Sequence, residues 1–136
     1  MRVATGPTNE RNTLQRDAIV EAIESADGPL TVNEVHEAAS RLQPGIGVAT
    51  IYRNIKRLIE SGQIHPVVLP DGQTRYEPAH LKHHHHFRCR KCDRVFDLHV
   101  CPVSVPHGTT LPGGYVIEDH ELTLYGLCPQ CADSDK

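Results

Sequence analysis

Tryptophan is absent, aromatic residues make up only 4% of the chain, and no apolar run exceeds a few residues. Large side chains bury the most surface. A chain this poor in them builds modest cores, and a metal staple or a dimer interface would add what they lack. The lack of a long apolar stretch leaves nothing to read as a membrane-spanning helix, and no signal-peptide or lipidation pattern stands out. A soluble, cytoplasmic protein with no membrane partner is expected. Strong charge is missing too. A net charge of −3 argues against a general polyanion binder, but it permits a local basic face. At 136 residues the chain holds one ordinary domain or two small ones.

What the chain does have is cysteine in pairs and histidine in a cluster. Cys89-x-x-Cys92 and Cys128-x-x-Cys131 frame 35 intervening residues. Thiols stay reduced in the cytosol, so such pairs read as metal ligands rather than disulfides. A thioredoxin-like redox pair needs a βαβ context, and none surrounds these. Four thiolates fill the tetrahedron of one zinc ion and leave no open position, so the site is expected to be structural. Cys101 is the fifth, unpaired cysteine. It is a spare ligand, a redox-sensitive thiol or a buried residue, and the sequence does not rank these.

Ten histidines include the run His83-His84-His85-His86, just before the first cysteine pair. Its internal position argues against an expression tag, and a merely solvated run is the bland alternative. On a strand, neighbouring side chains point to opposite faces. His84 and His86 then share one face, and His83 and His85 the other, so two metal sites can share one strand. Further donors lie upstream, at His65, Glu77 and His80, and downstream, at Asp97, His99 and His120. Imidazole and carboxylate ligands suit Zn, Fe, Mn or Ni and do not choose among them.

The first half reads as three helices and a hairpin. Leu14, Ala18, Ile19, Ala22 and Ile23 recur at helical spacing behind Asn12-Thr13 as a cap. After Gly28-Pro29, Thr31-Val-Asn-Glu34 is a capping box opening a second helix, with Val35, Ala38, Ala39 and Leu42 on its buried side. A turn at Pro44–Gly47 leads to a third helix, with Val48, Ile51, Tyr52, Ile55, Leu58 and Ile59 at helical spacing and Gly62 as its stop. The other face of that helix carries Thr50, Arg53, Asn54, Lys56 and Arg57. Two segments, Ile64–Leu69 and Thr74–Glu77, flank the turn Pro70-Asp71-Gly72. Helix-turn-helix followed by a hairpin is a winged helix, and arginine and asparagine suit guanine and adenine edges. In the second half, strands are expected at Phe87–Cys89, Val95–Leu98, Val116–Ile117 and Glu121–Gly126. The Pro- and Gly-rich stretch Cys101–Gly114 reads as loop.

Together these residues resemble the ferric uptake regulator family of bacterial metal- and peroxide-responsive repressors. The motifs are Leu14-Gln15-Arg16, Gly47-Val-Ala-Thr-Ile-Tyr-Arg-Asn54, Arg75-Tyr-Glu77, His83–His86 before Cys89-x-x-Cys92, and Leu124-Tyr-Gly-Leu-Cys-Pro-Gln-Cys131. The resemblance implies an α+β chain. Residues 1–80 would form a winged helix-turn-helix DNA-binding domain with hinge, and residues 81–136 a small α/β, zinc-bound dimerisation domain. It also implies a homodimer that represses by closing on a palindromic double-stranded DNA operator when metal binds at the hinge.

Carried over by residue, Cys89, Cys92, Cys128 and Cys131 match the structural zinc site. Thr50, Tyr52, Arg53, Asn54 and Arg57 lie on the DNA-contacting helix, with Tyr52 and Arg53 as the family's contacting pair. His84 and His86 match hinge sensor ligands, Glu77 and Asp97 match further carboxylate ligands, and His83, His85 and His120 match a second site within the dimerisation domain. Two departures are visible. Iron and peroxide sensors of the family carry a histidine where Pro29 stands here, whereas His65 and His80 fall at or near ligand positions of zinc sensors. A regulatory set of His65, His80, His84 and His86 with Zn2+ is therefore expected, with Fe2+ or Mn2+ as the alternative. The stretch Cys101-Pro-Val-Ser-Val-Pro-His-Gly108 carries two prolines where the family has a helix, so a helix and its acidic ligand are not expected there. A zinc hydrolase or deaminase is the reading from another class. The chain has no HExxH and no open metal beside a general base, so an enzyme is not expected.

Overall fold

The computed structural model describes residues 7–103 and 105–134. The fold is α+β, and the chain divides into two compact units, Met1–Leu81 and Lys82–Lys136.

The first unit contains α1 (Pro7–Glu24), α2 (Val32–Leu42), α3 (Val48–Glu60) and a hairpin of β1 (Ile64–Val68) and β2 (Thr74–Pro78). Helix α1 runs well upstream of Asn12-Thr13, which lie inside it and do not cap it. Proline is tolerated in a first helical turn, where its missing N–H is an orphan in any case. Helix α2 opens on the expected capping box. Thr31 N–H donates to Glu34 Oε1 at 2.9 Å, and Glu34 N–H donates to Thr31 Oγ1 at 3.2 Å. Helix α3 ends at Ser61. Gly62 then takes φ of +79°, and the Gln63 N–H closes onto Leu58 O at 2.9 Å. Glycine serves here because other side chains avoid that conformation.

The core of this unit joins Ala18, Ile19, Ala22 and Ile23 of α1 to Val35 and Ala39 of α2 and to Ile51, Ile55 and Leu58 of α3, with Ile46 and Ile64 closing it. Leu14 and Leu42 depart from the expected buried stripes and are more than half exposed, and Val48 is also exposed. Leu42 ends α2 and Val48 begins α3, beyond the packed centre, whereas Leu14 lies mid-helix on α1 but outside the buried cluster. Single exposed apolar residues of this kind are ordinary. The hairpin pairs Ile64 with Pro78 through Val68 with Thr74. Leu30 bridges Tyr76 as a third edge, with hydrogen bonds of 3.0 and 2.8 Å. Arg75 is almost wholly buried, and its guanidinium reaches Asp71 Oδ2 at 3.1 Å, which ties the strand to its own turn.

The second unit is built on β3 (His85–Cys89), β4 (Val95–Leu98) and β7 (Thr123–Gly126), in the order β4-β3-β7. Strands β3 and β4 are antiparallel, and β3 and β7 are parallel. Parallel neighbours need a crossover. Here the crossover carries a small hairpin of β5 (Thr110–Leu111), inside the stretch expected to be loop, and β6 (Tyr115–Val116), one residue off the strand expected at Val116–Ile117. No helix is found over the described residues 99–109, in line with the two prolines. A short helix α4 (Pro129–Ser134), which the sequence reading did not foresee, follows β7. Gly126 lies against Phe87, whose ring would sit 3.1 Å from any added Cβ. No described helix is long and apolar enough to cross a membrane.

Candidate metal centres and nucleic-acid interface

Three features within the two units carry chemistry. The first is the cysteine cage. The β3–β4 connection is a knuckle in which Asp93 takes φ of +68° and donates its N–H to Cys89 O at 2.9 Å, while Cys89 N–H donates to Arg94 O at 3.0 Å. Strand β7 runs parallel to β3 with Gly126 beside Cys89, so the chain leaving β7 delivers Cys128 and Cys131 to the same place. The four sulfurs lie within 4.8 Å of one another, and Cys92 and Cys128 are 4.0 Å apart. Zinc–sulfur bonds of about 2.3 Å place tetrahedral sulfurs about 3.8 Å apart, so this cage fits zinc. Backbone N–H groups of Cys92 and Cys128 aimed at the Cys89 sulfur bring its pKa down to about 6. Burial pushes the Cys131 thiol up to about 12, with its three cysteine neighbours adding to the rise. A bound cation would hold all of them as thiolates.

The second feature is the histidine run, of which His85 and His86 lie on β3 and His83 and His84 in the residues just before it. His84, His86 and Asp97 gather on one side. The Nε2 atoms of both histidines lie 3.6 Å from Asp97 Oδ1, and all three side chains are largely buried. The register explains this, because His86 pairs with Asp97 across β3 and β4. On the other side His83, His85 and His120 meet, together with Cys101, which the sequence left unassigned. His85 is 2% exposed, and burial lowers its pKa below the usual 6.5, with the neighbouring His83 and His120 adding to the effect. It is held neutral, the form that binds metal.

The hairpin donors sit otherwise. His65 Nε2 is 2.9 Å from Glu77 Oε1, and Glu77 is buried. His80 Nε2 is 3.0 Å from Glu24 Oε2 on α1. Within the first unit, neither His65 nor His80 joins a group of three or more ligating side chains among the described residues. Each already has a carboxylate partner within the first unit, which competes for the imidazole. Pro29 is fully buried, and proline offers no ligand.

The third feature is helix α3. Tyr52, Arg53, Lys56 and Arg57 are exposed, and Arg53 donates to Thr50 Oγ1 at 3.0 Å. Asn54 corrects the expectation. It is 8% exposed, and its side-chain amide donates to Thr50 O at 2.9 Å. Asn54 is therefore a packing residue at the inner edge of the helix and offers no free amide to a base. The Arg53 tether pre-orients the guanidinium outward, which suits a bidentate partner.

The model of the Ferric uptake regulator family matches residues 8–125. The "Peroxide operon regulator" of Bacillus subtilis is 27% identical over 129 residues, covering 94% of this chain and 88% of that protein. The "Peroxide-responsive repressor PerR" of Staphylococcus epidermidis is 28% identical over 124 residues, covering 90% and 82% respectively. Among solved structures, a "zinc-bound manganese uptake regulator" superposes with a TM-score of 0.67 at 24% identity, covering 94% of this chain and 91% of its own. That similarity is one of fold.

Proposed function

This chain belongs to the ferric uptake regulator family, and from that premise we propose that it is a zinc-responsive repressor binding palindromic DNA as a homodimer. The family is one of metal-responsive transcriptional regulators, and the protein is a regulator, not an enzyme. The observation that carries the finer reading is the pairing, on one chain, of an exposed Tyr52–Arg53–Lys56–Arg57 surface on α3 with the grouped donors His84, His86 and Asp97. The first is a tool for phosphates and base edges. The second is a tool for a cation.

In this reading the winged helix of residues 1–80 contacts DNA, and residues 81–136 carry the dimer contact and the metal sites. Cys89, Cys92, Cys128 and Cys131 hold a structural zinc that stays bound. His84, His86 and Asp97 supply ligands for the regulatory ion, with the hairpin donors Glu77, His65 and His80 as the side chains to test for its completion. Metal switches DNA affinity only by as much as it prefers one conformational state over another. Taking the population from 1:99 to 99:1 needs a preference of about 10⁴-fold.

A second reading, an iron-, manganese- or peroxide-responsive regulator, has its own support. The relatives named above are peroxide regulators. Asp97 is also a hard oxygen donor of the kind that suits iron and manganese. Against it stand Pro29 and the histidine-rich donor set.

The experiment is fluorescence anisotropy on DNA from the protein's own upstream region. Salt is fixed, the structural zinc is kept, and Zn(II), Mn(II) and Fe(II) are titrated from anaerobic metal buffers. Zinc switching binding on at trace free concentration supports the zinc reading. Switching by Fe(II) or Mn(II), with zinc needed in excess, transfers the support to the second. No binding to palindromic DNA under any metal overturns both.

A further inference from the structure

The resemblance leaves His83, His85 and His120 short of a ligand, because no helix follows the first cysteine pair to bring an acidic one. The structure supplies a different group at that point. Cys101 Sγ lies 3.3 Å from His85 Nε2 and 3.4 Å from His120 Nε2. His85 Nε2 is also 3.1 Å from His83 Nε2 and 3.2 Å from His120 Nε2.

Hydrogen bonding cannot account for this convergence. One imidazole nitrogen carries either one proton or one lone pair, directed along a single line in the ring plane. His85 Nε2 faces three partners and can satisfy one. A cation at the centre satisfies all four at once. Zinc–nitrogen bonds of about 2.0–2.1 Å and a zinc–sulfur bond of about 2.3 Å give tetrahedral edges of about 3.3 Å between nitrogens and about 3.6 Å between nitrogen and sulfur. The distances above fall within a few tenths of an ångström of those edges.

We propose that Cys101 is the fourth ligand of a second tetrahedral zinc site, formed with His83, His85 and His120. It puts a thiolate where the acidic ligand is missing and so closes the site. The inference goes beyond the repressor reading and needs only the second unit. The Cys101 thiol donates to Val103 O at 2.8 Å. When zinc binds, the sulfur–zinc bond forms as the S–H bond breaks, and the proton passes to water. The soft sulfur favours zinc and disfavours manganese and magnesium, which prefer oxygen.

Two features separate this site from the cysteine cage. Cys101 and His83 are exposed, and an open cavity of about 220 Å³ lined by His83, His107, Glu118, Asp119 and His120 adjoins it. Its metal can therefore exchange. Its ligands also come from β3 and the residues just before it, from the connection after β4 and from the segment before β7. Metal here fastens that connection to the sheet, work that a packed helix would otherwise do.

The test compares the full chain with Cys101→Ser, a change at an exposed position. Both proteins are equilibrated in zinc buffers without DNA, and retained zinc is counted by native mass spectrometry. Cobalt is then loaded into the exchangeable sites of protein that keeps its cysteine-caged zinc. We expect the variant to hold one zinc fewer at limiting metal, with affinity at that site reduced about 10-fold or more. We also expect the thiolate-to-cobalt absorption of the wild type to vanish in the variant. Zinc should slow proteolysis within residues 99–109 of the wild type but not of the variant. Equal zinc retention by the two proteins, or a cobalt spectrum without the sulfur band in the wild type, overturns the proposal. Neither readout involves DNA, so the fate of this site and that of the repressor reading are judged separately.

Discussion

His85 and His86 are consecutive residues on β3, yet they belong to different ligand groups: His85 pairs across the sheet with Leu98 and turns to Cys101, whereas His86 pairs with Asp97 and turns to it. Their independence is testable. His86→Ala is expected to weaken the metal response of DNA binding at least about 10-fold while leaving the zinc affinity of the Cys101 group unchanged. Anisotropy and native mass spectrometry on the same preparations check the two halves. Loss of both functions together would show that the faces of the strand are coupled.

The cysteine cage is expected to be the keystone of the second unit. Structural zinc in small domains contributes on the order of 10 kcal/mol to folding. Cys128→Ser leaves three sulfurs and removes a buried one. Loss of the retained zinc, loss of protection against protease across residues 82–134 and an intact helical signal from the first unit are the expected results. A variant that stays folded in its second half without zinc would contradict this.

On the DNA side, Arg53 and Arg57 are expected to differ in kind. Arg53→Ala, at a tethered and outward side chain, should cost about 1–3 kcal/mol on the preferred operator and relax its sequence preference. Arg57→Ala should weaken all sequences alike and lower the salt slope by about one. Asn54→Ala should instead show its effect in thermal stability, because its amide is spent on the helix backbone. Anisotropy at several salt concentrations, beside a melting curve for each variant, distinguishes the three.

Arg75 makes a stability prediction for the wing. Its side chain is 1% exposed and its charge is met by Asp71, itself 9% exposed. Removing one partner of a buried pair costs about 3–5 kcal/mol, since the other charge is stranded. Arg75→Ala is expected to lower the urea midpoint of the first unit accordingly, and Asp71→Asn to do so less. A change under about 1 kcal/mol would mean that solvent reaches the pair.

Acid should weaken the second unit through His85. Its pKa in the fold lies below the usual 6.5, because burial penalises the charged ring. As pH falls through that usual value, the unfolded chain takes up the proton first. The unfolded state then binds more protons, and stability falls with pH. Above about pH 7.5 neither state is protonated at this ring, and the effect is absent. Protein holding only its cysteine-bound zinc should therefore show a lower urea midpoint near pH 5.5 than near pH 7.5, and His85→Gln should flatten that difference. An unchanged midpoint in the wild type would rule the mechanism out.

Much of this organisation is legible in the residues themselves, and the exceptions have physical causes. The Thr31/Glu34 capping box, the Gly62 stop and the hairpin about Gly72 are local, so spacing alone reveals them. The opposed directions of His85 and His86 follow from strand geometry, whereas His83 and His84 precede β3 and join the two groups from outside it. Cys101 was visible as a residue but not as a partner, because its neighbours His85 and His120 are 16 and 19 positions away and meet it only through the crossover. Strand β6 is legible to within a residue, but its partner β5 is not, because two residues are too short for any periodicity. Helix α4 escaped because six residues beside a cysteine pair carry no amphipathic pattern. Asn54 misled because residue type suggested a base contact, while its side chain turns back to Thr50 O.

The parallel pairing of β3 with β7 sets an order of events during synthesis. Cys89 and Cys92 leave the ribosome 39 residues ahead of Cys128 and Cys131 respectively. Two thiolates can catch a zinc ion early, but the tetrahedron closes only when β7 has docked beside β3. Closure of the cage thus requires a chain that extends through Cys131 and pairs β7 with β3 in register. A truncated or misregistered copy presents half a cage, from which a chelator or a competing thiol can take the metal back.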